Sequence, residues 1–455
     1  TAELFRSWRA DLPLLAETSG KNAIVVTPSA DFDLAVADIV KSAFGHAGQK
    51  CSAASLVILV GSVAKSERFR RQLMDAVTTL RVGYPDDPES LMGPVIEPPG
   101  TKLESGLTEL GAGESWLVTP KLLDERGRLW SPGVRDGVKP GSTFHQTEYF
   151  GPILGIMSAR NLQEALAIQN GVDYGLTAGV HSLDPREVST WLAGVQAGNC
   201  YVNRGITGAI VQRQPFGGWK KSSVGPGTKA GGPSYLMGLG SWRSTIASVS
   251  AESVRADPFV ASFLPFIAEG HSEREESFLR SLASDEQAWA TTYGTSTDET
   301  GLTIERNVLR YRPTPVTIRV AGFHPLAEIV RVYLAGARAG ATIKLSMTDV
   351  LPAEVLTLMR QGGPGFAALA ECVVETEREF VARVEGDPPA RVRLLGSRAD
   401  ALSVAFDGAP EIAIYAHEVT ESGRVEMLPF MIEQAVSMTA HRFGALDPRF
   451  RDFPL

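Results

Sequence analysis

Short, wholly apolar runs alternate with polar-faced stretches of helical period from the N-terminus to about residue 203. This alternation limits the fold more than any other feature of the chain. AIVVTP (23 to 28), SLVILVG (55 to 61), AGVHS (178 to 182) and NCYVN (199 to 203) read as strands. Between and around them AELFRSWRADL, DFDLAVADIVKSAFG, KSERFRRQLMDAVTTL, NLQEALAIQNG and PREVSTWLAGV read as helices. Strands without an apolar/polar alternation need cover on both faces, which is the pattern of an α/β fold. Residues 204 to 240, rich in Gly and Pro, read as loop.

Beyond residue 241 the texture changes. The stretch 245 to 305, with SEREESFLRSLASDEQAWA inside it, reads as a helical connector. VTIRV (316 to 320), PLAEIVRVYLAGARAG, ATIKLSM, LPAEVLTLM and EIAIYA then repeat the α/β grammar as a second unit. VTESGRVEMLPF (419 to 430) predicts a hairpin turning at Glu421-Ser422-Gly423, and MIEQAVSMTAHRFG a closing helix stopped by Gly444.

Composition excludes several functions. With 455 residues and a net charge of −8, the chain offers no electrostatic footing for nucleic acid or an anionic membrane. No apolar run approaches the roughly 18 residues of a membrane span. Cys51, Cys200 and Cys372 lie far apart without a CxxC pair, which argues against a metal site or a disulfide framework and fits a reducing cytoplasm. The opening TAELFRSWRADLP has neither a signal-peptide pattern nor an initiator Met, so the chain is expected to begin inside a domain.

One thiol stands out. In FGHAGQKCSAAS (44 to 55), Gly45 and Gly48 precede Cys51, small residues follow it, and the chain then enters LVILV. Small flanking residues let backbone N–H groups approach whatever lies over the sulfur, which suits a nucleophile. A buried structural cysteine is the competing reading of this segment alone. TSGKN (18 to 22) lacks the upstream glycine of a phosphate loop, and GPGTKAGG (225 to 232) does not stand between strand and helix. His46, Asp86-Asp87 and the acidic cluster at 273 to 276 read as solvated surface.

Six strings occur in order: AETSGKN, FGHAGQKCSA, EYFGPIL, YGLTAGVHS, AGNCYVN and QPFGGWKKSS. Together, with 34 residues from Glu17 to Cys51 and 97 from Cys51 to Glu148, they resemble the aldehyde dehydrogenase superfamily. Within it, AETSGKNA, GQKCSA, TGAIVQRQPFGG and KAGGPSYL resemble the L-glutamate γ-semialdehyde (Δ1-pyrroline-5-carboxylate) dehydrogenase branch. More narrowly they resemble the dehydrogenase half of the bifunctional proline utilisation A proteins, and LPFMIEQAVSMTAHRFG is similar to the tail of their long forms.

The resemblance implies an aldehyde dehydrogenase-like α/β fold, truncated at its N-terminus and followed by a second, degenerate domain of the same kind. The expected division is 1–40, remnant of an NAD-binding domain; 41–244, catalytic, with a substrate anchor loop at 204–217; 245–305, connector; and 306–455, non-catalytic. Cys51 is implied as nucleophile and Glu17 as the base associated with water activation. Glu148 and Phe150 are implied at the nicotinamide end of NAD. Ser52, Gly208, Ala209 and Phe216 are implied as holders of an amino-acid semialdehyde. FAD would belong only to a proline dehydrogenase domain elsewhere, and homo-oligomerisation or intramolecular domain docking is expected of such a chain. Ser19 departs from the family's glycine, Trp219-Lys220-Lys221 falls in a variable stretch, and the family's phosphate-binding turn is missing. Another aldehyde dehydrogenase, CoA-acylating or general, and a non-catalytic interaction module are the alternative readings.

Overall fold

The computed structural model describes residues 1–268, 271–396 and 399–455. Two compact units emerge: one from Glu17–Ser223, Asp298–Leu309 and Gln434–Leu455, the other from Thr1–Ala16, Val224–Thr297 and Arg310–Glu433. The longer strands are, in chain order, β1 Asn22–Val26, β2 Ala54–Val60, β3 Ser115–Val118, β4 Gly133–Asp136, β5 Ile153–Ala159, β6 Thr177–His181, β7 Asn199–Val202 and β8 Glu305–Pro313. They continue with β9 Val316–Val320, β10 Ile343–Met347, β11 Leu369–Val374, β12 Arg391–Leu395, β13 Ala413–Tyr415 and β14 Met431–Thr439.

The Glu17–Ser223 unit is built on a nine-stranded sheet ordered β8-β14-β7-β6-β1-β2-β5-β4-β3. From β14 to β4 every neighbouring pair is parallel, and β3 joins the edge antiparallel. β1 and β2 sit centrally and are buried almost throughout, as their unbroken apolar sequences require. Capped amphipathic helices cover the sheet. Asp31 accepts the Asp33 and Leu34 N–H groups to start Phe32–Phe44, and Ser66 accepts that of Phe69 to start Glu67–Thr78. Their inward faces, among them Ile39, Phe44, Phe69, Leu73 and Val77, join one core with β1 and β2.

The other unit carries a five-stranded, all-parallel sheet ordered β11-β10-β9-β12-β13. The first three strands run outward one way and the last two the other, a doubly wound arrangement. Helix Leu326–Arg338, almost entirely buried along Ile329–Ala337, anchors its core. Arg393 on β12 and Glu426 meet at 2.7 Å with neither side chain exposed. Arg393 also donates to the His417 carbonyl (2.9 Å), and Glu426 accepts the Thr420 N–H (3.1 Å).

Three expectations are corrected. MIEQAVSMT is strand β14, not a helix, and Ala435–Met438 pairs in parallel with β7. Its polar residues are the reason: Gln434 and Ser437 are buried, and both find partners in distant segments, the Ala197 carbonyl (2.9 Å) and Asn307 (2.7 Å). Polar spacing that looks like a solvated helix face is here the inside of a sheet. VTESGRVEMLPF is not a hairpin, because Ser422 precedes a short helix, Gly423–Glu426, that delivers Glu426 to Arg393. The compact units also cut the chain elsewhere than at 40, 244 and 305, grouping Gln434–Leu455 with Glu17–Ser223 and Thr1–Ala16 with the other unit.

Glu426→Gln leaves a fully buried guanidinium without its counter-charge, which costs about 3–5 kcal/mol. Burial opposes ionisation of Glu426, but Arg393 and His417 outweigh it and hold the carboxyl well below the usual carboxylate range. A depressed folded-state pKa contributes stability above the unfolded value of about 4.3, lost as pH falls below it. Hydrogen exchange of β12 amides should accelerate in Glu426→Gln at pH 7, and the difference from the wild type should shrink below pH 4.

Candidate active site

Cys51 lies in a turn closed by the Ala53 N–H on the Lys50 carbonyl (2.9 Å), one step before β2. The rear of that turn is fully bonded. The Asn22 amide on β1 donates to the Cys51 carbonyl (2.7 Å) and the Ala53 carbonyl (2.9 Å), and the Thr177 hydroxyl donates to that of Ser52 (3.3 Å). Asn22 itself accepts the Thr177 N–H (3.0 Å) and is buried. With the carbonyls turned toward β1 and β6, the N–H groups of Ser52 and Cys51 point at the half-buried sulfur. Gly20 is needed for this approach, since a Cβ there would stand 2.6 Å from the Cys51 carbonyl oxygen.

Two carboxylates act on the thiol from different segments. Glu148 accepts the Gly20 N–H (3.1 Å), and Glu17 accepts the Gly218 N–H (2.8 Å). The Glu17–Gly20 strip is pinned further by the Ser222 hydroxyl on the Ser19 carbonyl (2.7 Å) and by the Thr18 N–H on the Ser222 carbonyl (3.0 Å). Burial pushes the Cys51 thiol above its ordinary pKa; Glu148 and, more weakly, Glu17 push it further, and the two N–H groups only partly oppose this.

Glu148 lines a recess with Gly20, Lys21, Gly48, Phe150 and Gly151. Phe150 is 40% exposed and sits at φ +58°, held there by the Gln49 amide on its carbonyl (3.2 Å). At Gly48, φ +68°, a Cβ would fall 2.1 Å from the Gly151 carbonyl oxygen, so only glycine permits the two segments to meet.

The 204–217 loop is tied at both ends and open at its tip. Arg204 and Arg213 pair with Glu305 on β8 (2.8 and 2.7 Å). Buried Gln214 donates to Asn307 (2.8 Å) and Ser437 (3.0 Å) and accepts the Ile210 N–H (2.8 Å). Asn199 on β7 donates to the Pro215 carbonyl (3.0 Å) and accepts the Gly217 N–H (3.2 Å). Gly208, at φ +81°, and Ala209 are exposed at the tip, and Phe216 is half-buried.

The structure thus brings Cys51, Glu17 and Glu148 into one electrostatic neighbourhood, with buried Ser52 adjacent in the turn and Phe150 in the same recess as Glu148. Gly208 and Ala209 join it only through the loop, whose end carries the Gly218 N–H to Glu17. Sequence reasoning missed Asn22, Thr177, Lys21, Asn199 and Gln214. Asn22 and Lys21 stand inside the AETSGKN string, and an Asn at the head of an apolar strand was the available signal for a buried carbonyl holder.

The sequence model of the aldehyde dehydrogenase family matches residues 7–243. The chain belongs to the aldehyde dehydrogenase family. It is 40% identical over 225 residues to the 1-pyrroline-5-carboxylate dehydrogenase of Geobacillus sp. (strain WCH70), covering 49% of this chain and 43% of that one. To the enzyme of the same name from Bacillus subtilis (strain 168) it is 37% identical over 225 residues, with the same coverage of each. The structure of Proline Utilization A (PutA) from Corynebacterium freiburgense superimposes with a TM-score of 0.79 at 45% identity, covering 98% of this chain and 41% of that chain. The chain therefore spans less than half the length of each of these relatives. The likeness to PutA extends the aldehyde dehydrogenase-like α/β fold over nearly the whole chain.

Alkylation of Cys51 by iodoacetamide, followed by peptide mass spectrometry in the absence of cofactor, should show a pH midpoint above the roughly 8.5 of a free cysteine. Glu148→Gln removes an anion beside the nascent thiolate and should lower that midpoint. An unchanged midpoint would place Glu148 out of electrical reach of the sulfur.

Proposed function

We propose that a protein containing this chain oxidises L-glutamate γ-semialdehyde to L-glutamate with NAD, as a step of proline catabolism. The observation that carries the reading is a thiol addressed by two backbone N–H groups and flanked by two carboxylates, each fixed by a backbone N–H from another segment. The relatives named 1-pyrroline-5-carboxylate dehydrogenase support the substrate.

The raised pKa keeps Cys51 a thiol at neutral pH, so a base must remove its proton as the aldehyde arrives. Glu17 would be that base, directly or through one water. The thiolate adds to the aldehyde carbon, and the Cys51 N–H receives the developing oxyanion. Bound NAD supplies the acceptor for the hydride that leaves this carbon, so that a thioester remains on Cys51. Glu17 gives the thiol's proton up to solvent before it takes another from water; the hydroxide adds to the thioester, and the Cys51 sulfur departs and is reprotonated by the nascent acid as the carboxylate forms.

At the nicotinamide-ribose end of that cofactor, Glu148 would offer a carboxylate to ribose hydroxyls, with the Phe150 ring exposed near it. The Ser52 hydroxyl and the backbone N–H groups of Gly208 and Ala209 would hold the substrate carboxylate, with Phe216 packing on its methylenes. Among the described residues no helix is long and apolar enough to cross a membrane. A reducing cytoplasm is the compartment that suits three cysteines set far apart with no CxxC pair.

In an active protein containing this chain, Cys51→Ser should lower kcat by about 10³-fold or more, while Cys200→Ser and Cys372→Ser stay near wild type. Near-normal turnover in Cys51→Ser would overturn the assignment. Gly208→Val should raise KM for glutamate semialdehyde severalfold and leave propanal kinetics nearly unchanged. Equal effects on both aldehydes would remove the loop from carboxylate recognition.

A further inference from the structure

The 204–217 loop also has a foot, set on a helix whose residues the proposed chemistry does not use. Beyond β7, Asn203 turns the chain at φ +53°, its amide bonding both the N–H and the carbonyl of Ser182 (2.9 Å each). Ile206 is then wholly buried and fills the space over Gly179 of β6, where a Cβ would stand 2.7 Å from the Ile206 side chain. The Ile206 N–H, taken out of water with it, donates to the Ser42 hydroxyl at 3.0 Å. Ser42 is also buried, on helix Phe32–Phe44. Asp38, one turn earlier on the same face, presents its carboxylate to the Gly205 N–H. The fit is close: a Cβ at Gly205 would stand 3.1 Å from Ser42 Oγ.

The same helix leads to the nucleophile. It ends at Phe44, and the short turn Gly45–Gly48 carries the chain on toward Cys51. One rigid element thus holds the loop by its side and the cysteine's turn beyond its end. Gly208 and Ala209 follow Ile206 by two and three residues, so the tip lies within about 10 Å of the foot at full extension and moves with it. A buried N–H left without an acceptor draws the backbone toward water or another partner, and such a shift at Ile206 would pass to the tip. We propose that Ser42 is a specificity-determining positioning residue: by fixing Ile206 it sets the distance from Cys51 at which the Gly208 and Ala209 N–H groups meet a substrate carboxylate. This rests on the reading of the loop as the carboxylate holder. An aldehyde without a carboxylate makes no use of that distance and is indifferent to Ser42.

The test uses an active protein containing this chain, with kcat and KM measured for glutamate semialdehyde and for propanal. Ser42→Ala should raise KM for glutamate semialdehyde about three- to tenfold, the range set by one lost hydrogen bond. Its kcat should stay within about twofold of wild type, and propanal kinetics should not change. Asp38→Ala, at a partly exposed position, should move the same KM in the same direction and by less, and it serves as the readout if Ser42→Ala does not fold. In a Gly208→Val background, where the tip is already obstructed, Ser42→Ala should add less than about twofold, because both changes act through one loop. An unchanged KM, an equal loss on both aldehydes, or effects of Ser42→Ala and Gly208→Val that multiply in full would overturn the role of Ser42 and leave the loop reading intact. If Gly208→Val does not itself separate the two aldehydes, the loop reading falls and the proposal falls with it.

Discussion

The Asn22 side chain is the interaction on which the rest of the site depends. One amide, buried at the head of a central strand, bonds two carbonyls of the Cys51 turn and one N–H of β6. It thereby joins three segments far apart in sequence and decides which way the turn's peptide planes face. With the carbonyls held behind, the N–H groups are left in front, toward the sulfur. The neighbouring Gly20 completes the arrangement from the same strip, letting the Cys51 carbonyl pass and giving its own N–H to Glu148. Burying an Asn is worthwhile only when its groups are satisfied, and here both ends of the amide are.

Two anions near a nucleophile look counterproductive, since each makes the thiolate harder to form. The arrangement suits a cysteine that is to be activated only with substrate in place. A resting thiol is far less open to oxidation and stray alkylation than a resting thiolate. As the proposed base, Glu17 would contribute both to that restraint and to its release, because the carboxylate that disfavours the thiolate can also accept the proton. The backbone bond from Gly218 fixes its position for both roles.

Much of this was legible in the sequence, and the parts that were not share a cause. AIVV and LVILV announce central buried strands because short apolar runs rich in β-branched residues need cover on both faces, and Cys51, Glu17 and Glu148 stand in strings of recognisable spacing. MIEQAVSMT misleads because its polar residues are satisfied by partners at Ala197 and Asn307 that no local pattern contains. Lys21 and Asn22 belong to a string read for its glutamate, for Ser19 and against a phosphate loop. Their contacts appear only when the strand places one under a turn and the other under an aromatic pair.

The fastening of the 204–217 loop has a consequence for how such a chain is made. The loop grips β8 through Glu305 and Asn307 and β14 through Ser437, and β7, from which it departs, is paired along its outer edge by β14. None of these partners exists when the loop leaves the ribosome. At about 5–20 residues per second, the 236 residues from Asn199 to Ala435 take on the order of 10–50 s to synthesise. Through that interval the nucleophile's turn and its strands can already have formed, but these partners of the loop are still to come. A chain that stopped before Ser437 would therefore carry its cysteine without the fastened loop.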